Sequence, residues 1–260
     1  DIDQILMVEQ NIRGGLSYIG DRFCDKLTAN EELIYIDANN LYGAGMSQLL
    51  PICDFKSLTE TEWNLIDWSG IDTDNETGYI VEVDLSYPDE LHIEHNTYPL
   101  APEHFTITYD QLSPYTKQCY HELNNKKKTY KANKLTCTFL PRKHYVTHFA
   151  NLKFYLQQGM KLDKIHSVLS FTQKAFLKPY IDYCTQKRKA SASSFEGNVY
   201  KLLSNSLFGK FIEGVRDRMN CHFVTSEKKA KKRISHPSFD SFKTISDDMV
   251  VIFSKKRVVH

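Results

Sequence analysis

Hydrophobic and polar positions change period several times along the chain, and the changes mark out a mixed α/β protein. Residues 33–38 (LIYIDA) form a short apolar, β-rich run that predicts a strand ending at Asp37 or just after. Asn39 and Asn40 suit a helix cap, with a helix through Met46 to about Leu49 that stops before Pro51. Asp37 therefore falls at a strand-to-helix junction. Residues 56–77 are polar and acidic, as in a surface excursion, whereas residues 78–85 (GYIVEVDL) alternate as a strand ended by Tyr87 and Pro88. Five prolines make residues 86–143 read as loop-rich. Helical spacing over 144–158 is stopped by Gly159, a strand follows at 165–171, and helices are predicted at 176–188 and 195–215. A strand at 219–225, a charged helix at 227–234 and strands at 239–245 and 249–258 complete the pattern, with no internal repeat.

Composition adds exclusions. The 260 residues are 41% hydrophobic and 25% charged, which is ordinary for a globular chain and excludes disordered and collagenous classes. No apolar run approaches the roughly 20 residues of a spanning helix, so no membrane partner is expected. Six scattered cysteines without C-x-x-C spacing fit thiols in a reducing, intracellular compartment. The chain begins at Asp1 with no visible targeting peptide and stops directly after a predicted strand, which reads as a fragment with missing ends.

The net charge of +1 conceals a strong asymmetry. Residues 1–116 carry 4 Lys+Arg against 22 Asp+Glu, residues 117–189 carry 16 against 3, and residues 190–260 carry 13 against 7. The middle segment holds Lys126, Lys127, Lys128, Lys131, Lys134, Arg142 and Lys143, then Lys187, Arg188 and Lys189. Such a run is either a polyanion-facing surface or a solvated face, and charge alone leaves both open.

Within the helix predicted at 195–215, Lys201, Asn205, Phe208 and Gly209 fall at i, i+4, i+7 and i+8 and share one face. A cation, an amide, a flat ring and a bare backbone patch suit a nucleotide. An amphipathic helix burying a Phe accounts for the same spacing. Asp37 is equally two-sided, since Asp at a strand end is a metal ligand in some proteins and a turn former in more.

Two motifs carry a resemblance. YIDANNLYGAGMSQLLP (residues 35–51) resembles motif A of family B DNA polymerases, D-x-x-S-L-Y-P, and KLLSNSLFGK (residues 201–210) resembles their motif B, K-x-x-x-N-S-x-Y-G. NIRGG (residues 11–15) resembles the Y-x-G-G element of the protein-primed branch, and the likeness is greatest to organellar, viral and Polinton/Maverick transposon polymerases over about residues 10–258. The resemblance implies that Asp37 is one of two carboxylates holding magnesium, and that backbone N–H groups from Ala38, Asn39, Asn40 and Leu41 face a triphosphate. It implies Tyr42 as a steric gate under the deoxyribose, Lys201 and Lys189 as phosphate cations, and Asn205 and Phe208 at the nascent base pair. Arg13, Gly14, Gly15, Gly209 and Lys210 would contact DNA. Asn40 replaces the usual Ser, Gly43 the usual Pro, Phe208 the usual Tyr, and Ile12 the Tyr of the glycine element. Motif C, Y-x-D-T-D-S, with the second carboxylate, does not occur in these residues.

The implied fold is α/β (α+β): part of a polymerase palm with an antiparallel sheet, helical fingers and an insertion between the motifs. Its divisions would be an exonuclease–polymerase linker (1–32), palm with motif A (33–55), palm continuation and basic insertion (56–171), fingers (172–214) and further palm (215–260). The implied function is template-directed DNA synthesis from dNTP onto a primer or a priming terminal protein, in a nucleus, mitochondrion or viral replication site. With one metal carboxylate, residues 1–260 alone are expected to be inactive, and the alternative is a nucleic-acid-binding remnant of a transposon or viral polymerase. Two other features are set aside: HYVTH (residues 144–148), whose two imidazoles lack the Glu of a metalloprotease helix and a third zinc ligand, and EKKAKKR (residues 227–233), which reads as a solvated helix end touching DNA phosphate in preference to a localisation signal.

Overall fold

The computed structural model describes residues 2–20, 32–123, 129–214 and 218–256. In chain order they form α1 (Ile2–Gln10), α2 (Leu41–Met46), β1 (Leu50–Ser57), α3 (Glu60–Trp63), β2 (Thr77–Ser86), β3 (Glu103–Thr108), α4 (Pro114–Leu123), β4 (Lys131–Thr136), β5 (Arg142–His148) and α5 (Phe149–Gln157). There follow β6 (Lys161–Lys174), α6 (Lys178–Ala190), α7 (Ser194–Phe211), β7 (Met219–Val224), α8 (Glu227–Ile234), β8 (Phe239–Ser246) and β9 (Met249–Lys255). Two compact units result: Asp1–Asn39 with Gln48–Phe176, and Asn40–Ser47 with Leu177–His260.

The first unit is built on a four-stranded antiparallel sheet in the order β1-β6-β2-β5. Strand β2 shows why the alternation at 78–85 is a reliable signal. Val81, Val83 and Leu85 are completely buried on one face with Phe149 and Leu152 of α5, and each such side chain contributes roughly 1.5–3 kcal/mol by leaving water. The intervening Glu82 and Asp84 enter a polar network instead. Asp84 accepts from Lys143 Nζ at 2.9 Å, the His144 backbone N–H at 3.0 Å and His166 Nε2 at 2.8 Å. Burial by itself would raise the Asp84 pKa, but these donors outweigh it and hold the carboxyl well below its ordinary range. Gly159 ends α5 with φ +93°, the left-handed conformation that a C-terminal glycine supplies.

Arg142 is the largest departure from the reading of the basic segment as a nucleic-acid surface. Its side chain is fully buried; Nε donates to Ala101 O at 2.7 Å, Nη2 to Thr138 O at 2.9 Å, and Nη1 to Thr138 Oγ1 at 3.1 Å and to the Leu140 carbonyl. Arg142 therefore ties the loop before β5 to the loop before β3, and its charge is spent inside the fold. Lys143 is held by Asp84, and Lys153 Nζ donates to Ile71 O at 2.7 Å. Lys131 and Lys134 on β4 stay exposed, and Lys126, Lys127 and Lys128 lie outside the described residues.

Three other expectations change. Residues 33–38 are not a strand: Leu33, Ile34, Tyr35 and Ile36 are 83%, 70%, 96% and 81% exposed, and among the described residues none pairs with them. β-rich composition favours an extended backbone, but a strand also needs a ladder partner. The helix expected at 144–158 is β5 followed by α5, because His148 ends the strand and caps the helix, its Nδ1 accepting from the Ala150 N–H at 3.4 Å. The two imidazoles of HYVTH thus serve separate purposes, His144 lying 2.7 Å from Glu82 Oε1. The loop-rich stretch contains β3 and β4, paired antiparallel, with α4 between them.

In the second unit α2, α6 and α7 form a helical part, and β7, β9 and β8 form a three-stranded antiparallel sheet in that order. Ser193 caps α7, accepting from the Glu196 N–H at 3.2 Å, while Glu196 Oε2 accepts from the Ala192 N–H at 3.2 Å. Helices α7 and α8, strand β7 and strand β9 all start within one residue of their predicted positions.

Leaving a buried acceptor unpaired costs about 1–3 kcal/mol each, so Arg142→Leu is expected to lower unfolding free energy by at least about 3 kcal/mol in urea denaturation. A loss below about 1 kcal/mol would show that the two loops do not depend on the guanidinium.

Candidate nucleotide-binding site

The site is assembled from short-range geometry at one motif and long-range packing to the other. Asn40 precedes α2 in the left-handed conformation (φ 58°, ψ 44°), which Asn tolerates better than most residues. It occupies the cap position, its carbonyl accepting from the Ala44 N–H at 2.9 Å, but its side chain makes no capping bond. That side chain lies across Gly43, where an added Cβ would collide with it. The two departures from motif A thus share one space: a side chain at position 43 would require that of Asn40 to move.

Helix α2 presents Tyr42 to α7, where its ring stacks on Phe208 with centroids 4.1 Å apart and planes 16° from parallel. One face of Phe208 is thereby covered. Lys201 and Asn205 precede Phe208 by seven and three residues on α7, so the helical period carries them along the same side. Lys201 is exposed and, among the described residues, makes no ion pair; Asn205 is half-buried. Gly209 is exposed, and a Cβ there would meet nothing within 4 Å, so internal packing does not explain the glycine. Lys189 is exposed in the last turn of α6, beside Lys187 and Arg188. Lys210 differs, since its Nζ lies 2.5 Å from Glu213 Oε2. Arg218 and Lys210 together hold the Glu213 carboxyl down at about 2.

The remaining candidates belong to the first unit, except Asn40 and Leu41 at the start of α2. Asp37, Ala38 and Asn39 are exposed, and among the described residues the Asp37 carboxylate makes no hydrogen bond or ion pair. Arg13 turns inward: Nη1 donates to Val146 O at 2.7 Å and the guanidinium lies 3.9 Å from the centre of the Tyr145 ring. It fastens the NIRGG segment to β5. Gly14 and Gly15 are exposed with open space at each Cβ position.

A magnesium pair of the kind the resemblance implies needs two carboxylates close together. Among the described residues no group of three or more His, Cys, Asp or Glu side chains could hold a metal ion, and Asp37 stands alone. The described residues do not by themselves compose that centre. Among them, too, no helix is long and apolar enough to cross a membrane.

The pairing of Tyr42 with Phe208 and the Asn40–Gly43 coupling were not anticipated. Only the second left a sequence signal, two departures three positions apart in one motif.

The Tyr42–Phe208 stack thus joins residues of the two motifs on α2 and α7, and Lys201 on α7 makes no ion pair among the described residues. Residues 6–258 match the family of type B DNA polymerases of organellar and viral origin, and the chain belongs to that family. Among solved structures, it is similar to Phi29 DNA polymerase in an orthorhombic crystal form, at 19% identity and a TM-score of 0.46. It is also similar to Phi29 DNA polymerase complexed with primer-template DNA and incoming nucleotide substrates, at 19% identity and a TM-score of 0.47. Each match covers 87% of this chain and 34% of the polymerase, so the chain spans about a third of their length. No curated protein matches it.

The coupling in motif A is measurable. Gly43→Ala should gain up to about 1 kcal/mol of helix propensity once Asn40 is replaced by Ser, and gain less or lose stability beside the native Asn40. Urea unfolding of the two single variants and the double should give a coupling energy of at least about 0.5 kcal/mol, and additivity within about 0.3 kcal/mol would contradict the coupling.

Proposed function

We propose that this chain forms the nucleotide-selecting part of a template-directed DNA polymerase, which joins a deoxynucleotide to a primer 3'-hydroxyl or to the hydroxyl of a priming protein. The observation that supports the reading is the stack of Tyr42 on Phe208, which holds the Asn40–Ser47 part of motif A against motif B within one compact unit. In this reading Lys201, with Lys189, neutralises the incoming triphosphate, because a mobile ammonium needs no fixed geometry to balance phosphate charge. Tyr42, held flat by Phe208, lies under the sugar and leaves no room for a 2'-hydroxyl. Asn205 offers both donor and acceptor to a base edge, and Gly209 lets the nascent pair approach the helix backbone. N–H groups of Ala38, Asn39, Asn40 and Leu41 face phosphate, and Gly14 and Gly15 face template, with Arg13 anchoring their segment. Lys210 reaches DNA only by exchanging its bond to Glu213 for one to phosphate.

Asp37 is assigned as one carboxylate for magnesium, and the second is not among the described residues. The exposed apolar stretch just before it, residues 33–36, suits burial against a further strand, and a strand bearing the second carboxylate would place the two acids side by side. The domain divisions expected from the resemblance, from the linker at 1–32 to the palm at 215–260, belong to the same proposal.

In magnesium-dependent primer extension by the polymerase, Asp37→Asn is expected to bring synthesis below detection while DNA binding stays near wild type. Retained synthesis would refute the metal assignment.

A further inference from the structure

The turn that joins α6 to α7 carries chemistry that the nucleotide reading leaves unused. Residues 187–194 read KRKASASS, so Arg188 and Lys189 stand three and two positions before Ser191. Ser191 ends α6, its hydroxyl donating to the Arg188 carbonyl at 2.6 Å, and Ser193 and Ser194 open α7. A cavity of about 390 Å³ lies between the two helix ends, with Arg188, Ser191, Ser193, Ser194 and Asn198 in its wall. Among the described residues no acid lines it, and Arg188 makes no ion pair. Ser191 is half-buried there, while the three residues after it are exposed.

Gly197 contributes to the space. A Cβ there would stand 3.1 Å from Ser191 Oγ and 3.9 Å from Arg188 Cγ, so the hydroxyl would have to shift. Glycine within a helix costs stability relative to alanine, and here it leaves room for both side chains. Cations in the last turn of α6 offset its dipole, and a hydroxyl bonded back to that turn is an ordinary helix end. Those two roles set no requirement on how far Arg188 stands from the serine, and neither needs a cavity beyond the hydroxyl.

We propose that Ser191 is a phosphorylation site for a protein kinase that selects basic residues before its target serine, and that the phosphate weakens nucleotide binding by the same unit. An acidic kinase cleft reads Arg188 and Lys189 through charge-assisted hydrogen bonds. The last turn of a helix frays, which supplies the extended backbone that such a cleft needs. In the transfer the Ser191 oxygen attacks the γ-phosphorus of ATP and the bond to the β,γ-bridging oxygen breaks. ADP leaves, and the hydroxyl proton passes to the base of the kinase. The product carries a charge of about −1.5 to −2. Arg188 faces the same cavity as a cation for it, and Ser193, Ser194 and Asn198 offer further donors. Lys189, two residues away, is drawn to this dianion in competition with a triphosphate. That last consequence rests on the nucleotide reading given above, whereas the modification does not.

The test is phosphorylation of the full 260-residue chain by a purified kinase that selects arginine three residues before serine, with mass-spectrometric mapping and then calorimetric titration with dATP. Stoichiometric phosphate on Ser191 is expected. Ser191→Ala should abolish it, and Ser191→Thr, which restores a hydroxyl, should regain it. Arg188→Gln is expected to lower kcat/KM of the kinase for the chain at least about tenfold, through loss of a charge-assisted contact. Phosphate mapped to Ser193 or Ser194 instead, or incorporated only after the chain is unfolded, would overturn the site. The phosphorylated chain should bind dATP at least about fivefold more weakly than the unmodified chain, and equal affinity would overturn the regulation. Absence of dATP binding by the unmodified chain would sink the nucleotide reading and the regulation together, whereas the mapping decides the modification by itself.

Discussion

The stack of Tyr42 on Phe208 is the contact on which the functional architecture turns. It fastens a six-residue helix, α2, to a helix far along the chain, so that the segment Asn40–Ser47 belongs to the second unit although both its neighbours in sequence belong to the first. An offset or stacked aromatic pair is worth about 0.5–1.5 kcal/mol beyond its buried area, modest as a stability term. Its consequence is geometric: residues of two motifs that share no local sequence come to lie on one side of α7.

The first unit shows how one sequence pattern serves two faces. Val81, Val83 and Leu85 make the inner face of β2, while Glu82 and Asp84 on the other face gather His144, His166, Lys143 and Ser167. Part of the basic character of residues 117–189 is consumed in such internal pairing. Arg142 is buried among carbonyls, and Lys143 and Lys153 are bonded to groups of the same unit. Net charge along a segment is therefore a poor guide to where a polyanion would bind.

What could be read in advance divides along the same physical line. Helices α7 and α8 and strand β2 carry their patterns within themselves, through period, caps and alternation, and they lie where those patterns placed them. The mixed α/β class was legible for the same reason, whereas the antiparallel sheets were implied by the family resemblance. Residues 33–38 have a strand's composition without a partner among the described residues, and composition does not encode partners. HYVTH fits helical and strand spacing alike, and only the capping role of His148 resolves it. At the site, the shared side of Lys201, Asn205 and Phe208 followed from the helical period. The covering of Phe208 by Tyr42 did not, because it joins distant segments.

The central claim is that Tyr42, supported by Phe208, sits against the sugar of a bound nucleotide. Calorimetric titration of the chain with dATP and with ATP tests it most directly. The account predicts tighter binding of dATP, and loss of that preference in Phe208→Ala, where the Tyr42 ring is left without its support. Equal affinity for the two nucleotides in the native chain, or a preference that survives Phe208→Ala, would contradict it.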